Sequence, residues 1–338
     1  MKIISYQEEH AEQVAELLNA GLARKLVGDR DAAYWKWKHE NCPFGPSIIL
    51  LAEIDGRLAG VRAFMRWKFD LDGKTLEVAK PVDSVTHPDF QRRGIFSQLT
   101  LKACDLAADQ GISFLFNTPN EKSRPGYLKL GWSMKGQLPI HFKVQRPFHA
   151  ASCLLKWKMR PGQVPTPESF FRSEPTSAKQ LLSGSKLGEL LANRRCSKDQ
   201  LETSRTSEFL KWRYGQHPHI QYYAEAVYES GRLVGALFYR TNFRSGIREI
   251  MIDDLIVDRS SQGSVVPQLL RQLRKVACAD YWVIQIAANS WMNAELRSMR
   301  FRQIPRKRIA LTTRELHENQ TIPEFAAWSL CFGDLEGL

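Results

Sequence analysis

Two stretches of this chain recur at a fixed distance, which limits the folds open to it more than composition does. "YWKWKHENCPFG" (34–45) is matched by "FLKWRYGQHPHI" (209–220), with Trp212 standing 175 residues after Trp37. "IDGRLAGVRAFMRW" (54–67) is matched by "ESGRLVGALFYRTN" (229–242), and Gly56-Arg57-Leu58 precedes Gly231-Arg232-Leu233 by the same 175. Further on the spacing falls to 169, where Asn120 corresponds to Asn289 and Trp132 to Phe301, as if a loop of the second copy had lost six residues. A repeat this long reads as one domain written twice, and 338 residues are enough for two domains. The expected division is residues 1–146, a linker over 147–176, where "PGQVPTPESFFRSEPT" is rich in turn residues, and residues 177–338.

Within the first copy the periodicities predict a mixed α/β order. Residues 10–22 have a helical apolar spacing through Val14, Leu17 and Leu18, and 31–39 form a short Trp-rich helix. "SIILLAEI" and "GRLAGVRAFMRWKF" are strands joined by an Asp-Gly turn, a hairpin signal. "TLEVAKPVDSVTHP" is a longer strand in which Pro81 marks a kink or bulge. A helix follows over "IFSQLTLKACDLAADQG", with Gly111 as its C-cap. Then come the strand "ISFLFNTP", a short helix in "NEKSRPGYLKLG", and a closing hairpin in "WSMKGQLPIHFKVQRP". Trp35 and Trp37 lie two apart on a helix and face different ways, so at least one belongs to the core and the other is free to wall a pocket. The recurrence of Trp37 as Trp212 gives Trp37 a role in the fold.

Composition excludes several classes. No window holds eighteen consecutive apolar residues, so no transmembrane helix is expected. "MKIISYQEEHAEQVAELL" turns acidic within ten residues and has no apolar core, so no secretory signal is expected there. Six cysteines are scattered without CxxC spacing, which predicts no metal site, no disulfide framework and a reducing, cytoplasmic setting. The net charge of +12 is spread as 21 basic and 17 acidic residues in 1–146 and 27 and 19 in 147–338. Such a surface attracts anionic partners, yet no helix-turn-helix, zinc finger or aromatic RNA-binding motif accompanies it, and no nucleic-acid partner is expected.

The chemistry concentrates in "DSVTHPDFQRRGIFSQL" (83–99), where a strand hands over to a helix across Gln91-Arg92-Arg93-Gly94. The first amides of a helix lack internal partners and sit at the positive end of its dipole, so they bind phosphate oxygens. Gly94 permits close approach of the backbone, and the two arginines add charge. Alone, such a stretch is equally a solvated helix start and a plain turn. Downstream, however, stands "YLKLGW" (127–132), one helix, one strand and one loop later.

Together the two motifs resemble those of the GCN5-related N-acetyltransferase (GNAT) superfamily, Q/R-x-x-G-x-G/A and Y-x-x-x-G-F, over about residues 1–146. The resemblance implies two GNAT-like domains, each a mostly antiparallel central sheet flanked by helices. It implies acetyl-CoA or another acyl-CoA as co-substrate, its pyrophosphate held by backbone N–H groups along Gln91, Arg92, Arg93, Gly94, Ile95, Phe96 and Ser97. Phe96 departs from the pattern, since Gly or Ala is usual there; its ring must turn away from the cofactor or reshape the cleft. The resemblance makes Tyr127 the general acid for the leaving thiolate, though a packed aromatic is the alternative. Asn120 contacts the CoA arm, caps a helix, or does both. The backbone at Ser84 and Val85 polarises the acyl carbonyl. Asp83 is the candidate base, with His87, His141 and Glu53 behind it, and many relatives have no identifiable base.

In the second copy the motifs are gone. "VDRSSQGSVV" (257–266) keeps only Gly263, and "LRSMRF" (296–301) puts Leu296 and Arg300 in place of Tyr127 and Gly131. That copy is expected to fold and to shape the acceptor pocket without a second acyl site, its tail "EFAAWSLCFGDLEGL" packing as a final strand or extension. The expected activity is N-acyl transfer to a small-molecule primary amine by direct attack in a ternary complex, since no cysteine is placed as a nucleophile. The first acceptor class is an amino sugar of surface polysaccharide assembly. An aminoglycoside, an amino acid and a non-catalytic acyl-CoA-binding regulatory module are the alternatives, and the chain is expected as a monomer or homodimer.

Overall fold

The alternating strands of the first half pair as a ladder of neighbours, and the two halves then exchange their last strands. The computed structural model describes residues 1–21, 30–159, 170–196, 199–261, 265–318 and 321–335. The first half runs β1 (Lys2–Ser5), α1 (Ala11–Gly21), α2 (Ala32–Trp35), a π-helical turn (Lys36–Glu40), β2 (Ile48–Ile54), β3 (Arg57–Leu71), β4 (Lys74–Thr86), α3 (Ile95–Asp109), β5 (Phe114–Asn117), α4 (Arg124–Lys129) and β6 (Ser133–Val144). Helices α5 (Pro147–Met159), α6 (Ala178–Leu182) and α7 (Leu187–Ala192) and strand β7 (Leu201–Thr203) lead into the second half. There α8 (Ser207–Leu210), a second π-helical turn (Lys211–Gly215), β8 (Tyr223–Glu229), β9 (Arg232–Arg244), β10 (Ile247–Val257), α9 (Val265–Val276), β11 (Tyr281–Gln285), α10 (Asn293–Ser298) and β12 (Arg302–Glu315) repeat the order, and β13 (Trp328–Ser329) follows. The start of each π-helical turn falls at the 175 offset, and the starts of α4 and α10 at the 169 offset. The glycine at 263 lies outside the described residues.

One sheet is ordered β1-β2-β3-β4-β5-β12-β6-β11-β10-β9-β8. Along this order the pairs are antiparallel except β4–β5 and β10–β11. The stretch read above as a closing hairpin is instead the single strand β6, lying between β12 and β11. Its partners come from the other half of the chain, which no local turn signal could reveal. Gly136 sits mid-strand because a Cβ there would lie 2.2 Å from the Phe325 ring. Pro81 likewise stays in register, opposite Phe64, and the irregularity falls further on, between the pairs Ala63–Val82 and Val61–Val85.

The halves meet at the repeated tryptophans. Trp37 and Trp212 stack with centroids 4.8 Å apart and planes 13° from parallel. Each indole N–H donates to the other's backbone carbonyl, at 2.9 and 2.7 Å, the reciprocal contact of a two-fold related pair. Trp35 is fully buried against Tyr6 and His39. The C-terminal tail bolts the joint: β13 pairs with β7, which pairs with β3. Buried Arg205 then binds both Asp254 and the tail's Asp334. No helix among the described residues is long and apolar enough to cross a membrane.

Candidate active site

The site grows from a break in the β3–β4 ladder. Asp83 takes a left-handed φ of +40°, and Asp83 and Ser84 drop out of register between Val82 and Val85. Beyond the one paired position Ala79–Leu115, β4 and β5 diverge, leaving a cleft edged by unpaired backbone. Gly60 lets α3 close on this end of the sheet: a Cβ there would lie 2.8 Å from the Ile95 side chain.

Where β4 ends, Gly94 at φ +74° opens α3, preceded by Arg92 at φ +63°. The helical ladder starts with the Gln98 N–H bonding to the Gly94 carbonyl, so the amides of Ile95, Phe96 and Ser97 are the unpartnered first-turn donors. Gln91, Arg92, Arg93 and Gly94 are exposed, and Arg93 lies over the Phe90 ring. Asn120 is exposed and accepts from the Lys122 and Ser123 amides through Oδ1, capping the turn into α4.

Tyr127 on α4 is buried at 5 % exposure. Its hydroxyl accepts from Arg62 Nη1 at 3.0 Å, and the same nitrogen donates to Ser84 Oγ at 2.5 Å. One guanidinium nitrogen therefore bridges the phenol and the strand break. Phe96 does not turn away: its ring stands edge-on to Tyr127 at 5.7 Å and beneath Arg62 at 4.9 Å. The cleft is reshaped there by an inward aromatic.

Residues 2–134 match the family model of the acetyltransferase (GNAT) domain. The chain carries a GNAT acetyltransferase domain. Those residues are of the acyl-CoA-dependent acyltransferase class. No curated protein matches the chain by sequence. Solved structures match over nearly its whole length. A conserved protein of Enterococcus faecalis has a TM-score of 0.65 at 12% identity, covering 93% of this chain and 72% of that one. A GCN5-related N-acetyltransferase of Anabaena variabilis gives 0.62 at 14%, with 94% and 73% covered, and Eis1 of Mycobacterium abscessus 0.57 at 15%, with 94% and 74%. At these identities the likeness is one of fold.

Within the GNAT domain, Asp83 is not placed as a base would be. It is buried and meets Lys38 Nζ at 2.5 Å, His39 Nε2 at 3.1 Å and Arg30 Nε at 3.9 Å. Burial alone would raise its carboxyl, but Lys38 and His39 outweigh burial and hold it well below the ordinary carboxylate range, where it has little affinity for an amine's proton. The repeat gives it another task. In the second half Asp254, at the equivalent break in β10, accepts from the Tyr214 hydroxyl at 3.3 Å, and Tyr214 stands 175 residues after His39. In both halves this aspartate ties the strand break to the π-helical turn.

The remaining candidates scatter. His87 Nδ1 accepts from the Asp89 amide within its own turn. His141 lies in mid-sheet on β6, its pKa lowered by burial, and Glu53 sits opposite Lys2 at the β1–β2 edge. Burial pushes the Cys104 thiol up to about 11, unfit for a nucleophile. The fold does assemble one group the sequence spacing missed: His149, Cys153 and Asp280, with ligand atoms within 4.8 Å of one another. Arg248 already sits against both His149 and Asp280, which gives that cluster a resident positive charge.

Sequence reasoning also missed Arg62. The signal was present: a lone arginine in the apolar run "RLAGVRAFM", at the position where the second copy carries Leu237.

Proposed function

We propose that residues 1–146 move an acetyl or other short acyl group from CoA to a primary amine in a ternary complex, and that residues 177–338, joined through 147–176, shape the acceptor side without a second acyl site. The observation that carries this reading is the bridge from Arg62 to both Ser84 and Tyr127. It brings a phenolic proton donor and the unpaired strand backbone within reach of a single thioester, while the first-turn amides at Gly94 face the end where a pyrophosphate would lie. The amine attacks the thioester carbon, the backbone at Ser84 and Val85 takes up the developing charge on oxygen, and the C–S bond breaks as Tyr127 gives its proton to sulfur. The amine's proton goes to solvent, and Asp83 serves as a structural anchor rather than as the base.

The acceptor side is favoured at the joint of the halves. A small cavity of about 30 Å³ there is lined by Tyr34, Trp37, Trp212, Lys80, Arg213 and Arg240, among others, with Arg240 paired to buried Asp253 behind it. Tyr34 accepts from Lys38, which reaches Asp83 at the strand break. The basic side chains around it disfavour a polycationic aminoglycoside and leave a sugar-linked amine or an amino acid as the acceptor classes. A cytoplasmic site of action accords with these substrates.

Calorimetric titration with acetyl-CoA and longer acyl-CoAs tests the reading. Saturable binding by the wild type, lost in Gly94→Trp, is the expected result; no binding by the wild type removes the basis for the enzyme.

A further inference from the structure

Arg62 is a charge that neither the motif nor the sheet requires. It lies in mid-β3 at 1 % exposure, and no carboxylate pairs with it among the described residues. Its Nε and Nη2 have no hydrogen-bond partner. A buried cation without a counter-charge is costly, and ring faces offset part of the cost: Cζ lies 4.9 Å from the Phe96 centroid, 5.0 Å from Tyr127 and 5.2 Å from Phe64. Phe96, the departure from the motif, is thus part of the seat for Arg62.

The second half shows that the scaffold closes without this group. Gly60 opposite Thr86 corresponds to Gly235 opposite Val257, so Arg62 corresponds to Leu237 and Ser84 to Leu255, while the 169 offset equates Tyr127 with Leu296. All three are leucines of one apolar cluster. The guanidinium, the hydroxyl and the phenol are together dispensable to the fold, so their joint presence in the first half calls for a chemical reason.

We propose that Arg62 is a positioning residue that orients the Tyr127 hydroxyl for proton donation, an inference that rests on Tyr127 being the acid. A guanidinium has five N–H donors and no acceptor. Its bond to the phenolic oxygen occupies that oxygen as acceptor and leaves the phenolic hydrogen nothing to bond to on Arg62. No other partner for the hydroxyl is found among the described residues. The hydrogen is therefore directed at the cleft. When the C–S bond breaks, its electron pair stays on sulfur, sulfur takes the Tyr127 proton, and the existing contact becomes an ion pair between the guanidinium and the phenolate. Water then returns the proton to Tyr127.

The test is a double-mutant cycle in the full chain, with acetyl-CoA and an amine found by acceptor screening. Arg62→Leu installs what the second half carries, so the fold should accept it; Arg62→Lys keeps a donor without an acceptor. Arg62→Leu is expected to lower kcat about 30-fold with the acetyl-CoA KM little changed, a part of the roughly 10²–10⁴-fold that general acid catalysis supplies. Arg62→Lys should recover most of that loss. In a Tyr127→Phe background, Arg62→Leu should cost less than about threefold more, because the two residues act as one unit. The same large loss in both backgrounds overturns the proposal, and so does a loss confined to KM, which would make Arg62 a substrate-binding group. If Tyr127→Phe alone keeps wild-type kcat, the reading of Tyr127 as the acid fails and takes this inference with it. Should Arg62→Leu fail to fold, Arg62→Lys in both backgrounds decides on the same criteria.

Discussion

The two halves keep one scaffold and differ in what they bury at one place. Trp37 and Trp212, Gly60 and Gly235, and Asp83 and Asp254 perform matched tasks at matched positions. At the strand break, however, the first half places buried Arg62 and Tyr127 and half-buried Ser84 where the second buries Leu237, Leu255 and Leu296. The exchange also runs the other way. In the second half Glu225 is buried and accepts from Tyr239, where the first half packs Leu50 and Phe64. What recurs marks the requirements of the fold, and what differs marks the positions free to carry chemistry.

The largest expected effect cuts along that division. Tyr127→Phe should lower kcat about 10³-fold, within the range for loss of a general acid, whereas Leu296→Met should leave turnover unchanged. Steady-state rates with acetyl-CoA decide it, and equal effects of the two substitutions would break the comparison. Next comes the shared aspartate. Asp83→Asn removes the carboxylate facing buried Lys38 and should destabilise the chain by about 3 kcal/mol, read as a shift in urea midpoint. Asp254→Asn should cost less, since Arg205 retains Asp334. Because the Asp83 carboxyl is depressed in the folded state, its stabilisation is complete above the unfolded carboxylate range and is lost as pH falls below about 4. At pH 7 Asp83→Asn should slow turnover by less than about tenfold, where loss of a true base would cost 10²–10⁴.

Most of the first copy's element order and the strand-to-helix handover at the candidate site were legible because both rest on local signals. Those signals are a period of two or 3.6, an Asp-Gly turn, and a glycine at the start of α3. The path of β6 was not, because its neighbours β11 and β12 lie far along the chain, and a strand between distant partners looks the same in sequence as the arm of a hairpin. Pro81 attracted the bulge assignment as a known ladder breaker, but the break falls beyond it, where Asp83 is held by Lys38 and His39. The same long-range pairing explains why Asp83 looked like a base: the sequence shows a carboxylate at a strand end and hides the two cations that meet it. Arg62 was hidden differently, since a lone arginine in a strand reads as a solvent-facing position until its burial is known.

Glu225 offers a sharper probe of the second half. Burial pushes its carboxyl up to about 7, the Tyr239 hydroxyl opposing the shift in part. The folded chain thus holds this proton over a range where the unfolded chain has released it, so stability declines as pH rises from about 4.5 to 7 and stays lower above. Glu225→Gln keeps an acceptor for Tyr239 and removes the charge. It should stabilise the chain by about 2 kcal/mol at pH 8 and have no effect at pH 4. Thermal unfolding at the two pH values is the measurement, and a pH-independent effect would mean that Glu225 ionises freely.

The smallest effect probes the axis itself. Trp37→Phe and Trp212→Phe each delete one indole donor and leave a buried carbonyl unpaired, at an expected cost of about 1 kcal/mol apiece. A joint built from two copies of one contact requires the two losses to be similar, and because the rings stack on each other the double variant should depart from their sum. Unequal single effects would show that the axis is symmetric in geometry alone. The load would then fall on one side, through neighbours such as His217, which packs 4.2 Å from the Trp37 ring.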